Sequence, residues 1–261
     1  MKKLFLHVLI GIMALNLVSC LPAGSNMTEM ASLAVVSYNT KEEHRSILTV
    51  IYGYGSEIAV PELESADLKI GDCILARYTI DWDNQPESAS IDYATNIIYL
   101  LVEQSYPSVQ NDFDETEAIL PDADLLPIQA ITPQAYHPIL GGKFFLYFNH
   151  SAPSRQEMDY TAIVKPSNTP NKPVDLYLIG EKKNKPEGSN TNFDNPYVID
   201  MRRVIEELGK DTLFKESSVE YTIRQLQVNL KYCTGLDEDD VPQYEDYNPG
   251  TNATFTFSLF M

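Results

Sequence analysis

Gln225-Leu226-Gln227-Val228-Asn229-Leu230-Lys231-Tyr232 is written in strict alternation. Two leucines, a valine and a tyrosine are interleaved with two glutamines, an asparagine and a lysine. This is the period of two that gives a strand one apolar and one polar face. One-sided alternation of this kind predicts an antiparallel sheet packed on one face and solvated on the other. The C-terminus repeats it, with Phe255, Phe257, Leu259 and Met261 on one face and Thr254, Thr256 and Ser258 on the other. Lys143 to Phe148, Tyr160 to Val164 and Val174 to Ile179 predict three more strands. One segment departs from the pattern. Ile199, Arg202, Ile205 and Leu208 recur at helical spacing, with Asp200 placed as N-cap and Gly209 as the stop, and predict one short helix.

The first half of the chain has a different texture. Leu33 to Tyr38, Ile47 to Tyr52, Glu57 to Val60, Cys73 to Ile80 and Asn96 to Val102 are short runs rich in β-branched and aromatic residues. Turn-forming residues separate them, at Gly53 and Gly55, at Gly71-Asp72 and across Asp81 to Ser90. Five short strands so spaced predict a small barrel. Between the halves, prolines 107, 121, 127, 133 and 138 and the acids from Asp112 to Asp124 mark a surface connection with local extended pieces. The expected organisation is a β-barrel domain over 33–105, a Pro-rich acidic connection over 106–140 and a β-sandwich domain over 141–261.

The N-terminus carries processing information. Lys2 and Lys3 precede a mostly apolar stretch from Leu4 to Val18 that closes on Ser19 and Cys20. That stretch is shorter than the roughly 20 apolar residues a transmembrane helix needs, and residues 1–19 read as a secretory signal peptide. Residues 20–32, small and polar, read as a flexible tether. Loss of the leader with Lys2 and Lys3 would leave 17 basic against 37 acidic side chains, a net charge of −20. A surface so acidic repels phosphate, which excludes a nucleic-acid partner.

Few residues offer chemistry. His44, His137 and His150 lie in no spacing that would put two imidazoles on one metal, and His150 reads as a strand-end surface residue. No nucleophile elbow, phosphate loop or zinc ligand set is written in the chain. Asp81-Trp82-Asp83-Asn84 lacks the glycine and distal glutamate of a calcium loop. The densest acidic cluster, Asp237 to Asp240 with Glu245 and Asp246, reads as a solvated loop. Trp82, the single tryptophan, sits among polar residues at a strand end and is the one possible ligand-binding residue, as a platform for stacking a sugar ring. For Cys73 and Cys233, a disulfide and two separate buried thiols both remain open.

Leu17-Val18-Ser19-Cys20 resembles the bacterial lipobox, in which the cysteine becomes the acylated first residue. The resemblance implies three acyl chains on Cys20, palmitate among them, and two chains already suffice for stable anchoring. Gly71-Asp72-Cys73-Ile74-Leu75-Ala76-Arg77-Tyr78-Thr79-Ile80 resembles the turn and strand of the NigD-like lipoproteins, in which an OB-type barrel precedes a β-sandwich. That family supplies no catalytic residue and no cofactor to carry over. The implied location is the bacterial outer membrane, facing the periplasm or displayed outside. Leu21-Pro22-Ala23-Gly24 lacks the acids that direct related lipoproteins outward.

The functional expectation is a membrane-anchored, non-enzymatic binding or scaffolding module, held to lipid through Cys20, whose partner is an envelope protein or a glycan. The alternatives are a carbohydrate-binding lipoprotein of a glycan-uptake system and a hydrolase of unrecognised type.

Overall fold

The computed structural model describes residues 26–38, 46–50, 57–87, 91–133, 139–167, 174–209, 213–216, 223–226, 228–247 and 256–258. The stretch read as a signal peptide, Cys20, His44, His137 and the phenylalanine-rich C-terminal run lie wholly or largely outside them. The protein is mainly β and divides into two units, residues 1–103 and 104–261.

The first unit is a closed five-stranded barrel. Its strands are β1 (Met27–Tyr38), β2 (Ser46–Val50), β3 (Glu57–Ala59), β4 (Cys73–Asp81) and β5 (Asp92–Leu101), in the order β1-β2-β3-β5-β4. Closure depends on the length of β1, which pairs with β4 from Met27↔Asp81 to Val35↔Cys73 and with β2 from Ala34↔Val50 to Tyr38↔Ser46. β1 therefore starts six residues before the Leu33 expected from sequence, and residues 27–32 belong to the barrel and not to the tether. The reason is tertiary: β4 offers its edge as far as Asp81, and Glu29 forms an ion pair with Arg77 across that pairing. The interior is filled by Ala34, Val36, Leu48, Ile58, Ile74, Ala76, Tyr78, Ile80 and Ala94. Residues 74, 76, 78 and 80 point inward with the strand's period of two.

On β5 the register shifts opposite Arg77 to Thr79, and Asn96 adopts a left-handed φ of 55°. Both Glu62 carboxylate oxygens, on the 3-10 turn Pro61–Ser65, accept from this bulge: Asn96 N–H at 3.0 Å and Ile97 N–H at 3.1 Å. Donors that the ladder loses at a bulge are thereby satisfied by one side chain.

The second unit is a two-sheet sandwich. One sheet runs β10-β11-β14-β6 with β9 also on β11, and the other runs β18-β17-β13-β12-β7 with β8 also on β13. The strands are β6 (Gln104–Ser105), β7 (Ser108–Val109), β8 (Leu125–Leu126), β9 (Ala130–Pro133), β10 (Ile139–Leu140), β11 (Lys143–Pro153), β12 (Met158–Pro166), β13 (Val174–Lys182), β14 (Asn190–Asp200), β17 (Val228–Leu236) and β18 (Pro242–Asp246). A separate three-stranded sheet joins β15 (Phe214–Glu216), β16 (Ile223–Leu226) and β19 (Thr256–Ser258). Phe144, Leu146 and Phe148 of β11 and Tyr197 and Ile199 of β14 meet Tyr160, Ala162 and Val164 of β12, Leu176 and Leu178 of β13 and Leu230 of β17 in the core. The long hairpin-like pairs β11–β14 and β12–β13 are antiparallel, as expected, whereas β13–β17, β12–β7 and β14–β6 are parallel. The alternating run 225–232 is shared between two strands in different sheets, β16 and β17.

Gly141-Gly142 makes the two-residue turn between β10 and β11, with φ of 56° and 76°, the left-handed pair that such a hairpin demands. The helix α1 (Arg202–Leu208) ends at Gly209, where φ is 80°. Asp200 sits one residue too early to be its N-cap; that position is Met201. The Asp200 carboxylate accepts the Arg202 N–H at 3.2 Å and is committed elsewhere, to a buried ammonium.

Candidate functional site

The polar face of β17 is covered, not solvated. Asn229 is buried with its amide on Asp246 of β18, and Lys231 is half-buried against Glu115 of the acidic connection, which lies across the outside of the six-stranded sheet. It enters through β7 against β12 and leaves through β8 against β13. Between these anchors Phe113 and Leu120 pack on Ile163, Tyr177, Ile179 and Cys233. Phe113 meets Tyr177 edge-on at 4.9 Å, and Tyr244 meets the same ring at 5.0 Å. Asp114 accepts both the Thr116 N–H at 2.9 Å and its hydroxyl at 2.7 Å, a tight local turn.

Under this strap lies a polar cavity of about 540 Å³, bounded by residues 111–116 and by Lys165, Pro166, Asp175, Tyr177 and Lys231. Sheet register builds its floor: Lys165 opposes Asp175 and Tyr177 opposes Lys231. The Lys165 and Lys231 ammoniums lie 5.1 Å and 5.2 Å from the Tyr177 ring centre, within cation–π range. Glu115 reaches in from the strap to accept the Tyr177 hydroxyl, with Lys231 at 3.5 Å and Lys165 at 3.9 Å. Hydrogen bonding by Tyr177 is the chief cause that holds the Glu115 carboxyl below its ordinary range. Burial, then that same bond, pushes the Tyr177 phenol well up. Asp175 is only 6% exposed, and its Oδ1 has no hydrogen-bond partner.

None of these five residues was singled out from sequence. The available signal was Asp175, an acid in the apolar run Val174 to Ile179, where a strand buried on both faces has no cheap place for a carboxylate. Trp82, which was singled out, stands at the end of the barrel on the β4–β5 turn. Its side chain is 41% exposed, and its indole N–H donates to Thr28 Oγ1 at 2.8 Å. Neighbouring Asp81 accepts the Asp83 N–H at 3.1 Å and the Asn84 amide at 2.7 Å, so the polar run is a turn organised around one carboxylate. The Asp237 carboxylate likewise organises the β17–β18 turn, accepting from Asp239 N–H, Val241 N–H and Gln243. Among the described residues no three His, Cys, Asp or Glu side chains are grouped to hold a metal ion.

His150 is not a surface residue. It is fully buried, its Nδ1–H donating to the Pro127 carbonyl at 2.8 Å and its Nε2 accepting the Tyr160 hydroxyl at 2.6 Å. Burial lowers its pKa to about 4, so the ring is neutral. Cys73 and Cys233 are buried thiols, and burial pushes Cys233 up. No described helix is long and apolar enough to cross a membrane.

Residues 24–101 match the Lipoprotein OB domain family. No curated protein matches the chain. Among solved structures, a putative toxin-related protein from Parabacteroides distasonis is 12% identical, with 85% of this chain and 94% of that one covered at a TM-score of 0.45. A protein of unknown function from Bacteroides vulgatus is 14% identical, with coverage of 86% and 93% and a TM-score of 0.48. A NigD-like immunity protein from Bacteroides caccae is 11% identical, with coverage of 85% and 97% and a TM-score of 0.44. A closed five-stranded barrel over the matched residues is what that family requires. Residues 24–101 are thus similar to lipoprotein OB domains, and the closed barrel found there accords with the OB-type barrel expected from sequence.

Proposed function

We propose that the protein is a non-enzymatic binding module of the bacterial envelope, acylated at Cys20 and held at the outer membrane. The observation that carries the binding reading is the polar cavity of about 540 Å³ under the strap, on which Lys165, Lys231, Glu115 and Asp175 converge. A preformed hollow with a few convergent polar side chains is a property of a ligand site. Glu115 is held low and Tyr177 high, so neither exchanges a proton near neutral pH as a general acid or base must.

The test is affinity capture from the native envelope with the intact lipidated protein, wild type beside folded Asp175→Asn and Lys165→Gln variants. The expected result is an envelope component retained by wild type and depleted at least several-fold on both variants. Equal retention by all three would contradict the assignment of binding to this cavity.

A further inference from the structure

We infer that the exposed face of Trp82 seats in the headgroup layer of a zwitterionic phospholipid surface and so fixes which end of the barrel faces the membrane. This rests on the acylation at Cys20 proposed above and adds a contact that the anchor alone does not imply. The structure shortens the tether. β1 begins at Met27, and the Trp82 N–H donates to the Asn26 carbonyl at 3.0 Å, so the barrel fastens the chain at Trp82 six residues after Cys20. Six residues span at most about 22 Å whatever their conformation. The end of the barrel that carries Trp82 is thereby kept at the surface that holds the acyl chains.

The side chain suits that place. Trp82 is 41% exposed, and tryptophan concentrates at membrane–water interfaces because it joins a large apolar body to one polar atom. Here that polar atom is already satisfied: the indole N–H donates to Thr28 Oγ1 at 2.8 Å, so the exposed part of the ring enters a less polar layer without stranding its donor. Asn26 and Thr28 both hold Trp82, which couples the ring to the point where the tether leaves the barrel. Charge selects the lipid. Residues 81–92 hold Asp81, Asp83, Glu87 and Asp92 and no lysine or arginine, and Asp83 and Glu87 are exposed. An anionic headgroup layer repels such a turn, whereas a zwitterionic one carries no net charge to do so.

The acylated protein is incorporated into phosphatidylcholine vesicles with and without bromine on the acyl chains, bromine being a short-range quencher of indole fluorescence. Trp82 is the single tryptophan, so the emission reports this contact alone. The expected result is a clear loss of emission on brominated lipid, made smaller when phosphatidylglycerol replaces much of the phosphatidylcholine at low salt. Moving the tryptophan, as Trp82→Phe with Ile70→Trp, should remove most of the quenching. Ile70 is 66% exposed and lies beyond the other end of β4, a strand of nine residues and so about 25 Å away. Thermal unfolding confirms that this variant is folded; if it is not, the accessibility of wild-type Trp82 to acrylamide decides, and it should fall when vesicles are added. The inference is overturned if wild type floats with the vesicles yet is not quenched, if both tryptophan positions are quenched alike, or if phosphatidylglycerol strengthens the quenching. Wild type that does not float with vesicles would remove the anchored reading together with this one.

Discussion

Replacing Asp200 with alanine is expected to cost about 3–5 kcal/mol of stability, the range for stranding one partner of a buried ion pair. Lys143 and Asp200 face each other across β11 and β14, with Nζ 3.1 Å from Oδ2 and side chains only 3% and 1% exposed. Lys143 also donates to Gln104 at 2.5 Å, and Arg202 donates to Asp200 through Nε at 2.8 Å. Burial works to raise the Asp200 pKa, but the Arg202 hydrogen bonds and the Lys143 charge together hold it below the ordinary carboxylate range. Asp200→Ala leaves the buried ammonium without its carboxylate. Lys143→Met should cost less, since Arg202 still meets Asp200. Lys143→Met combined with Asp200→Leu should recover much of the loss, because desolvation is avoided on both sides. For a chain of this size the Asp200→Ala midpoint falls by roughly 6–20 °C. Denaturant titration of the four proteins checks it; three variants within about 1 kcal/mol of wild type would show that the pair is immaterial.

Stability should also fall as pH drops from about 6.5 towards 4, with His150 contributing about 3 kcal/mol of the loss. Its folded pKa lies below the unfolded value of about 6.5, so between those limits the unfolded chain takes up a proton that the folded chain refuses. The contribution is complete above the upper limit and gone below the lower one. The refusal is structural: Nδ1 already donates to Pro127, Nε2 is spent accepting from Tyr160, and Phe193 and Tyr160 enclose the ring. His150→Gln is expected to be less stable at pH 7 and to lose this share of the pH dependence. Urea midpoints at steps from pH 7.5 to 4 measure it, and parallel curves for the two proteins would disprove the assignment.

The strands that were legible in the sequence are those whose local pattern and tertiary environment agree. Residues 74–80 alternate and sit in a barrel wall, and Gly209 ends a helix where the apolar spacing stops. What was illegible depends on a distant part of the chain. Asn229 and Lys231 look like a solvent face, yet Asp246 of the neighbouring strand meets the first and Glu115 of the connection meets the second. His150 follows a polar asparagine at a strand end, yet Pro127 and Tyr160 are brought to its two nitrogens by the other sheet and by the connection. Thr28 to Ser32 carry no apolar pattern, and β4 alone recruits them. The candidate cavity is an extreme case: Glu115, Lys165, Asp175 and Lys231 lie far apart in sequence and are gathered by strand register.

The proposal as a whole depends on where this chain is held, and mass spectrometry of the native protein extracted from cell envelopes tests that most directly. The expected species begins at Cys20 and carries a diacylglycerol thioether and an amide-linked acyl chain, with residues 1–19 gone. An unmodified polypeptide still starting at Met1 would contradict the anchored envelope protein proposed for this fold.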